Sequence, residues 1–156
     1  MAAFDELTER GLIRHWGVSN FGMSDMEELL AVPGGGAVQT NQVLYNLARR
    51  GIEWDVLPWS LDHRHPVMAY SPVAQGQLPQ HSTLQAVADG HEATAAQVAL
   101  AWVLRLDGVS AIPKASKPGH VLANYAALDL RLSPAELAAL DSAFPPPSRP
   151  ERLAVI

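Results

Sequence analysis

The chain has 156 residues, 48% of them hydrophobic, enough to bury a core in one folded unit. A net charge of −5 and a pI near 5.6 argue against a nucleic-acid or anionic-membrane partner. No apolar stretch approaches the ~18 residues a membrane span needs, and the absence of cysteine excludes disulfides, thiolate metal sites and cysteine nucleophiles together.

Met1-Ala2-Ala3-Phe4-Asp5-Glu6 places acids where a signal peptide would carry basic residues, so a cytoplasmic location is expected. Residues 1–10 read as the end of a helix, with Phe4, Leu7 and Thr8 on one face and Gly11 suited to the left-handed position past its last turn. Arg14 to Val18 is a first strand running into Ser19-Asn20. Residues 24–31 are a short helix with Ser24 as N-cap, Asp25 and Glu27 in the first turn, and Met26, Leu29 and Leu30 facing the core. Pro33 to Gly36 is a loop without the Lys-Ser/Thr that a phosphate-binding loop requires.

Ala37 to Thr40 is expected as a second strand ending in Asn41-Gln42. A helix over 53–63 would turn Trp54, Leu57 and Leu61 inward, with Pro58 tolerated near its start. Val67 to Ala69 forms a third strand ending in Tyr70-Ser71. Helices follow at 82–90 and 94–106, the second opened by Thr94 and packed through Val98, Leu100, Ala101, Trp102 and Leu104. Val109 to Ile112 is a fourth strand ending in Pro113-Lys114, and the breakers Lys117-Pro118-Gly119 precede a helix to about Leu128. Ser133-Pro134-Ala135-Glu136 is a capping box for a helix over 133–144, and 145–156 is an extended tail.

Consecutive apolar runs lie roughly 20 to 40 residues apart with helical periodicity between them, the spacing of strand, crossover helix and next parallel strand. A parallel α/β sheet is therefore expected. Ligands in such sheets and barrels sit at the carboxyl ends of the strands, which is where the polar clusters collect.

Other chemistries fit poorly. His63 and His65 lack an acidic third ligand at a suitable spacing, so no metal site is expected. Ser19 and Ser71 lack the Gly-x-Ser-x-Gly elbow of a hydrolase. Asp5, Glu6 and Glu9 are a solvated helix face. The only two lysines, Lys114 and Lys117, fall just ahead of a helix N-terminus, where backbone donors and the helix dipole favour an anion. Tyr70 offers a ring to stack on, and Ser19, Asn20 and Gln42 offer hydroxyl and amide groups that suit a carboxamide. Ring, amide and phosphate pocket together describe a nicotinamide dinucleotide.

Gly17-Val18-Ser19-Asn20-Phe21, Asn41-Gln42-Val43, Ala69-Tyr70-Ser71-Pro72 and Ile112-Pro113-Lys114 followed by Asn124 resemble, in order and spacing, the second half of the aldo-keto reductases. The stretch from Asn41 through Gly51-Ile52-Glu53 to Gln75-Gly76 is similar to their bacterial carbonyl-reductase branch. The resemblance implies the C-terminal half of a (β/α)8 TIM barrel: strands five to eight with crossover helices over 11–128, a further helix, and a tail, so that 1–156 is a single partial domain.

It also implies binding of NADP(H), with NAD(H) as the other candidate. Ser19, Asn20 and Gln42 would hold the carboxamide, and Tyr70 would stack on the nicotinamide. Ser71, Val73, Gln75 and Gly76 would follow the pyrophosphate, Lys114 and Ser116 the 2′-phosphate, and Asn124 the adenine. Where relatives carry arginine and glutamate, this chain has His120 and Ala123. Histidine is largely uncharged at neutral pH, so discrimination for the 2′-phosphate should be weaker.

The family's catalytic Asp, Tyr, Lys and His lie on the first four strands, and none is assigned here. The isolated chain is therefore expected to be inactive, taking a small carbonyl substrate only when complemented by the other half. Four strands also leave two open edges, which invite self-association. The alternative is a non-catalytic nucleotide-sensing or protein-interaction module on the same fold.

Overall fold

Val18–Ser19 (β1), Asn41–Leu44 (β2), Val67–Tyr70 (β3) and Val109–Ala111 (β4) pair in parallel, each with the next in chain order. The structure, a computed structural model, describes residues 1–156 apart from the side chain of Pro79. Crossovers run through Met23–Ala31 (α2), Val56–Asp62 (α3), and Ser82–Gly90 with Ala95–Val103 (α4 and α5). Ala2–Glu9 (α1) precedes the sheet, while Pro118–Ala126 (α6) and Pro134–Ala143 (α7) follow it. This is the expected parallel α/β arrangement, ending in a tail without regular structure.

Alternation along the strands divides the sheet into two faces. Val43, Val67, Ala69 and Val109 point to the helical side and join Leu84, Ala88, Val98, Ala99, Trp102 and Val103 in the main core. Each fully buried side chain of this size stabilises the fold by about 1.5–3 kcal/mol. A smaller core of Trp16, Met26, Leu29 and Val38 lies under α1 and α2, with Phe4 stacked on Trp16 at 4.8 Å.

Helix ends follow local chemistry. Thr94 and Ser133 cap α5 and α7 as expected, their hydroxyls accepting from the Gln97 and Glu136 N–H groups. Gly11 adopts φ +69°, the left-handed stop anticipated for it. Gly35 is sterically required: a Cβ there would lie 1.9 Å from the Leu29 carbonyl oxygen.

Several details differ from the sequence reading. The second strand begins at Asn41 rather than ending there, because Gly35–Ala37 coils into a 3-10 turn and Val38 turns into the smaller core. Gly22, not Ser24, caps α2, its N–H donating to Asp25 Oδ2 at 2.8 Å. Leu30 lies on the solvent side of that helix. A 3-10 turn over Gly51–Glu53 delays α3 to Val56, which leaves Trp54 47% exposed instead of inward. Pro118 and Gly119 form the first turn of α6 rather than a break before it.

A charged network locks α7 to the sheet. Arg50, 7% exposed, donates to Glu53, to Asp141 on α7 and to the Phe144 carbonyl. Burial alone would favour a neutral Arg50 side chain, but its bonds to the two carboxylates outweigh this and hold it charged. Arg105 and Arg50 both lie over the buried Trp102 ring, at 3.8 and 4.9 Å from its centroid. Tyr45 Oη donates to Glu53 Oε1 at 2.6 Å, and burial pushes its phenol well above the ordinary tyrosine range.

Candidate functional site

The second face of the sheet is of a different kind. Ser19, Gln42, Met68 and Ser110 are register partners across all four strands, so they form one row opposite the main core. Tyr70, two residues beyond Met68, stands on the same face at the end of β3. Gln42, Met68 and Tyr70 are half-buried, and Ser19 and Ser110 are exposed.

Hydrogen bonds fix how this row presents itself. Ser19 Oγ donates to the Gln42 carbonyl at 3.0 Å, Tyr70 Oη donates to Asn20 Oδ1 at 3.1 Å, and Gln42 Nε2 donates to Met68 Sδ at 3.2 Å. Asn20 sits at φ +58° just past β1, a left-handed conformation that asparagine tolerates better than most residues. That turn brings its amide to Tyr70 across the intervening strand.

The loop after β3 is wound in the same unusual way. Ser71, Ala74, Gln75 and Gly76 have φ of +49°, +47°, +55° and +84°. Ala74 N–H donates to the Ser71 carbonyl and Gly76 N–H to that of Val73. The N–H groups of Val73 and Gln75 take no acceptor among the described residues, and successive N–H groups in such turns form concavities suited to anions.

At β4, Ile112 N–H donates to the Ala69 carbonyl at 3.1 Å, which ties the following loop to the end of β3. Lys114, Ser116 and His120 are exposed there, and Asn124 is half-buried on α6. Asn124 lines a cleft of about 550 Å³ with Leu104, Ala111 and Val121, a mostly apolar wall that also carries Ser110 and Tyr125. Ser19, Asn20, Gln42 and Tyr70 thus form one connected group. Among the described residues, no side-chain hydrogen bond joins them to Lys114, Ser116, His120 or Asn124.

Two buried asparagines hold this end of the sheet: Asn41, named above in a strand-end cluster but given no role, and Asn46. Asn41, 1% exposed, brackets the backbone of Phe21, Nδ2 donating to its carbonyl at 2.8 Å and Oδ1 accepting from its N–H at 3.4 Å. Asn46, also 1% exposed, donates to the Ser71 carbonyl at 2.9 Å and accepts from Ala48 N–H. Each bolts one ligand-facing loop to β2 or its turn.

Four of the six histidines have structural partners. His63 and His65 stack on Trp59, His81 caps α4, and His91 bonds Glu136 at 2.8 Å. No group of three potential metal ligands occurs among the described residues. No helix among them is long and apolar enough to cross a membrane.

Parallel strands in chain order with a polar row at their ends are the arrangement of an α/β-barrel unit, a fold in which ligands sit at the carboxyl ends of the strands. Residues 1–144 match the aldo/keto reductase family, and the chain belongs to that family. It is 50% identical to the methylglyoxal reductase YeaE of Escherichia coli over 152 residues, covering 94% of this chain and 54% of that protein. The methylglyoxal reductase DkgB of Escherichia coli O157:H7 is 33% identical, with 90% and 53% covered.

An aldo-keto reductase of Klebsiella pneumoniae solved in complex with NADPH superimposes with a TM-score of 0.97 at 49% identity, covering 99% of this chain and 56% of that one. The fold is accordingly the C-terminal half of the family's (β/α)8 barrel, and the chain spans about half the length of the curated relatives it matches.

Proposed function

We propose that residues 1–156 are a single partial domain, the dinucleotide-holding half of an NADP(H)-dependent, cytoplasmic oxidoreductase that reduces aldehydes or ketones to alcohols. One observation carries this reading: the hydrogen-bonding polarity left over at the strand ends. The Ser19 hydroxyl proton is committed to the Gln42 carbonyl, so its oxygen remains to accept. Gln42 turns Nε2 to Met68 and leaves Oε1 to accept, while Asn20 gives Oδ1 to Tyr70 and leaves Nδ2 to donate. Two acceptors and one donor complement a primary carboxamide, which offers two N–H bonds and one carbonyl oxygen.

The remaining roles follow from position. Tyr70 covers one face of the nicotinamide ring and excludes water from it. The Val73 and Gln75 N–H groups, with Ser71 and Gly76, line the path of the pyrophosphate. Lys114 and Ser116 hold the 2′-phosphate with help from His120, and Asn124 bonds the adenine in its apolar cleft. NAD(H) is the weaker alternative because it lacks the group that Lys114 would pair with. When bound, the reduced nicotinamide supplies the hydride.

Proton transfer is a separate requirement, and no tyrosine here is placed for it. Tyr70 is bonded to Asn20, Tyr45 is buried against Glu53 and Arg105, and Tyr125, exposed on α6, borders the Asn124 cleft assigned to the adenine. Loss of a general acid costs roughly 10²–10⁴ in rate, so reduction needs complementing residues. The unpaired outer edges of β1 and β4 favour self-association of the chain by itself.

The test is a fluorescence titration with NADPH, followed by an assay of NADPH oxidation with a small dicarbonyl such as methylglyoxal. Saturable binding without turnover is expected. Absence of binding would refute the reading of the strand ends, and rapid oxidation by these residues alone would refute the assignment of proton donation elsewhere.

A further inference from the structure

We infer that Met68 is a positioning residue for the dinucleotide, its thioether fixing which end of the Gln42 amide faces the site. This rests on the carboxamide reading above and adds to it a residue that looks, in sequence, like one more apolar member of a strand.

Met68 is out of place as a core residue. Its neighbours Val67 and Ala69 are fully buried in the main core, whereas Met68 has the opposite parity, is half-buried, and stands in the row with Ser19, Gln42 and Ser110. Its sulfur meets Gln42 Nε2 at 3.2 Å, across a register pair of β2 and β3.

A glutamine amide can present either its NH₂ or its carbonyl end to a ligand, and only the second can receive the N–H of a carboxamide. A thioether accepts weakly and never donates, so it pairs with the NH₂ end alone. Turning Nε2 to the sulfur turns Oε1 away from it and leaves that oxygen with no donor among the described residues. Among the described residues, no other side chain bonds this amide. Ser19 reaches the Gln42 main chain, and Ser110 Oγ bonds the Val67 carbonyl at 3.4 Å.

Met68→Leu keeps the volume and removes the acceptor. Its NADPH affinity should fall about three- to tenfold, the span of one ordinary hydrogen bond. Affinity for adenosine 2′,5′-bisphosphate, which has no nicotinamide, should not change, and neither should the unfolding midpoint. The 3-acetylpyridine analogue of NADPH carries a methyl ketone and offers no N–H to Gln42, so it should bind wild type and Met68→Leu alike. Met68→Gln, whose amide both donates and accepts and so can pair with either end of Gln42, should not recover the full wild-type NADPH affinity.

Equal NADPH binding by wild type and Met68→Leu would overturn the role of Met68 while leaving the site intact. Equal losses for all three ligands would mean a merely structural effect and would overturn it too. A wild-type chain that binds the bisphosphate but not NADPH would refute the carboxamide reading itself.

Discussion

The two faces of the one sheet do different work. On the helical side Val43, Val67, Ala69 and Val109 are buried in an apolar core, at whose margin Arg50, Glu53 and Tyr45 are linked through the Glu53 carboxylate. On the other side, one residue out of phase, Ser19, Gln42 and Ser110 stay polar, the two serines exposed and Gln42 half-buried. Adjacent residues of the same strand therefore serve stability on one side and, in the function proposed above, recognition on the other. A substitution on one face should leave the function of the other nearly untouched, and this separation can be broken experimentally.

The largest effect belongs to the core. Trp102→Ala removes a fully buried ring that touches Tyr45 and lies under two guanidinium groups, and should cost about 3–5 kcal/mol in urea unfolding. Glu53→Gln should cost about 2–4 kcal/mol, because Arg50 and Arg105 then lose the carboxylate between them. Tyr45 adds an alkaline signature. Its folded pKa lies above the unfolded value near 10, so the stability it contributes is complete below that pH and declines as pH rises beyond it. Tyr45→Phe should flatten that alkaline limb in unfolding curves.

Effects on the other face should appear in affinity rather than stability. Lys114→Ala should weaken NADPH binding about ten- to a hundredfold, the loss of one charge-assisted hydrogen bond, with NADH affected far less. Gln42→Leu should weaken NADPH about tenfold at an unchanged unfolding midpoint. If either variant instead lost stability in proportion to affinity, the separation of faces would be wrong.

Which parts of this were legible in the sequence follows from how local their causes are. Thr94 with Gln97 and Ser133 with Glu136 are boxes closed within three residues, and both caps formed where expected. The third and fourth strands fall where β-rich runs end in polar clusters, whereas the first, expected over 14–18, forms only at Val18–Ser19. The second was misplaced by four residues because the pull on Val38 comes from Trp16, Met26 and Leu29, which no window around Val38 contains.

Trp54 was turned the wrong way because the 3-10 turn at Gly51–Glu53 shifts the helical phase before α3 begins. The roles of Asn41 and Asn46 are not legible locally, since their partners Phe21 and Ser71 lie 20 and 25 residues away. Arg50 and Glu53 could be paired from their spacing, but Asp141, 91 residues from Arg50, could not.

The smallest expected effect lies at the junction of α4 and α7. Bonds from the Ser133 backbone and hydroxyl hold the Glu136 carboxyl below the usual glutamate range, with His91 beside it adding a lesser push. A depressed folded pKa gives stability that is present above the unfolded value and is lost as pH falls through the folded one. Glu136→Gln should therefore make acid unfolding shallower below about pH 4.3 and leave NADPH binding alone.

The central claim is that the row opposite the core is shaped for a carboxamide. A crystal structure of the chain with NADP(H) tests it most directly. The account predicts the carboxamide bonded to Ser19 Oγ, Asn20 Nδ2 and Gln42 Oε1 with the ring against Tyr70. A nicotinamide lying elsewhere, or one with its carbonyl oxygen against Gln42, would contradict it.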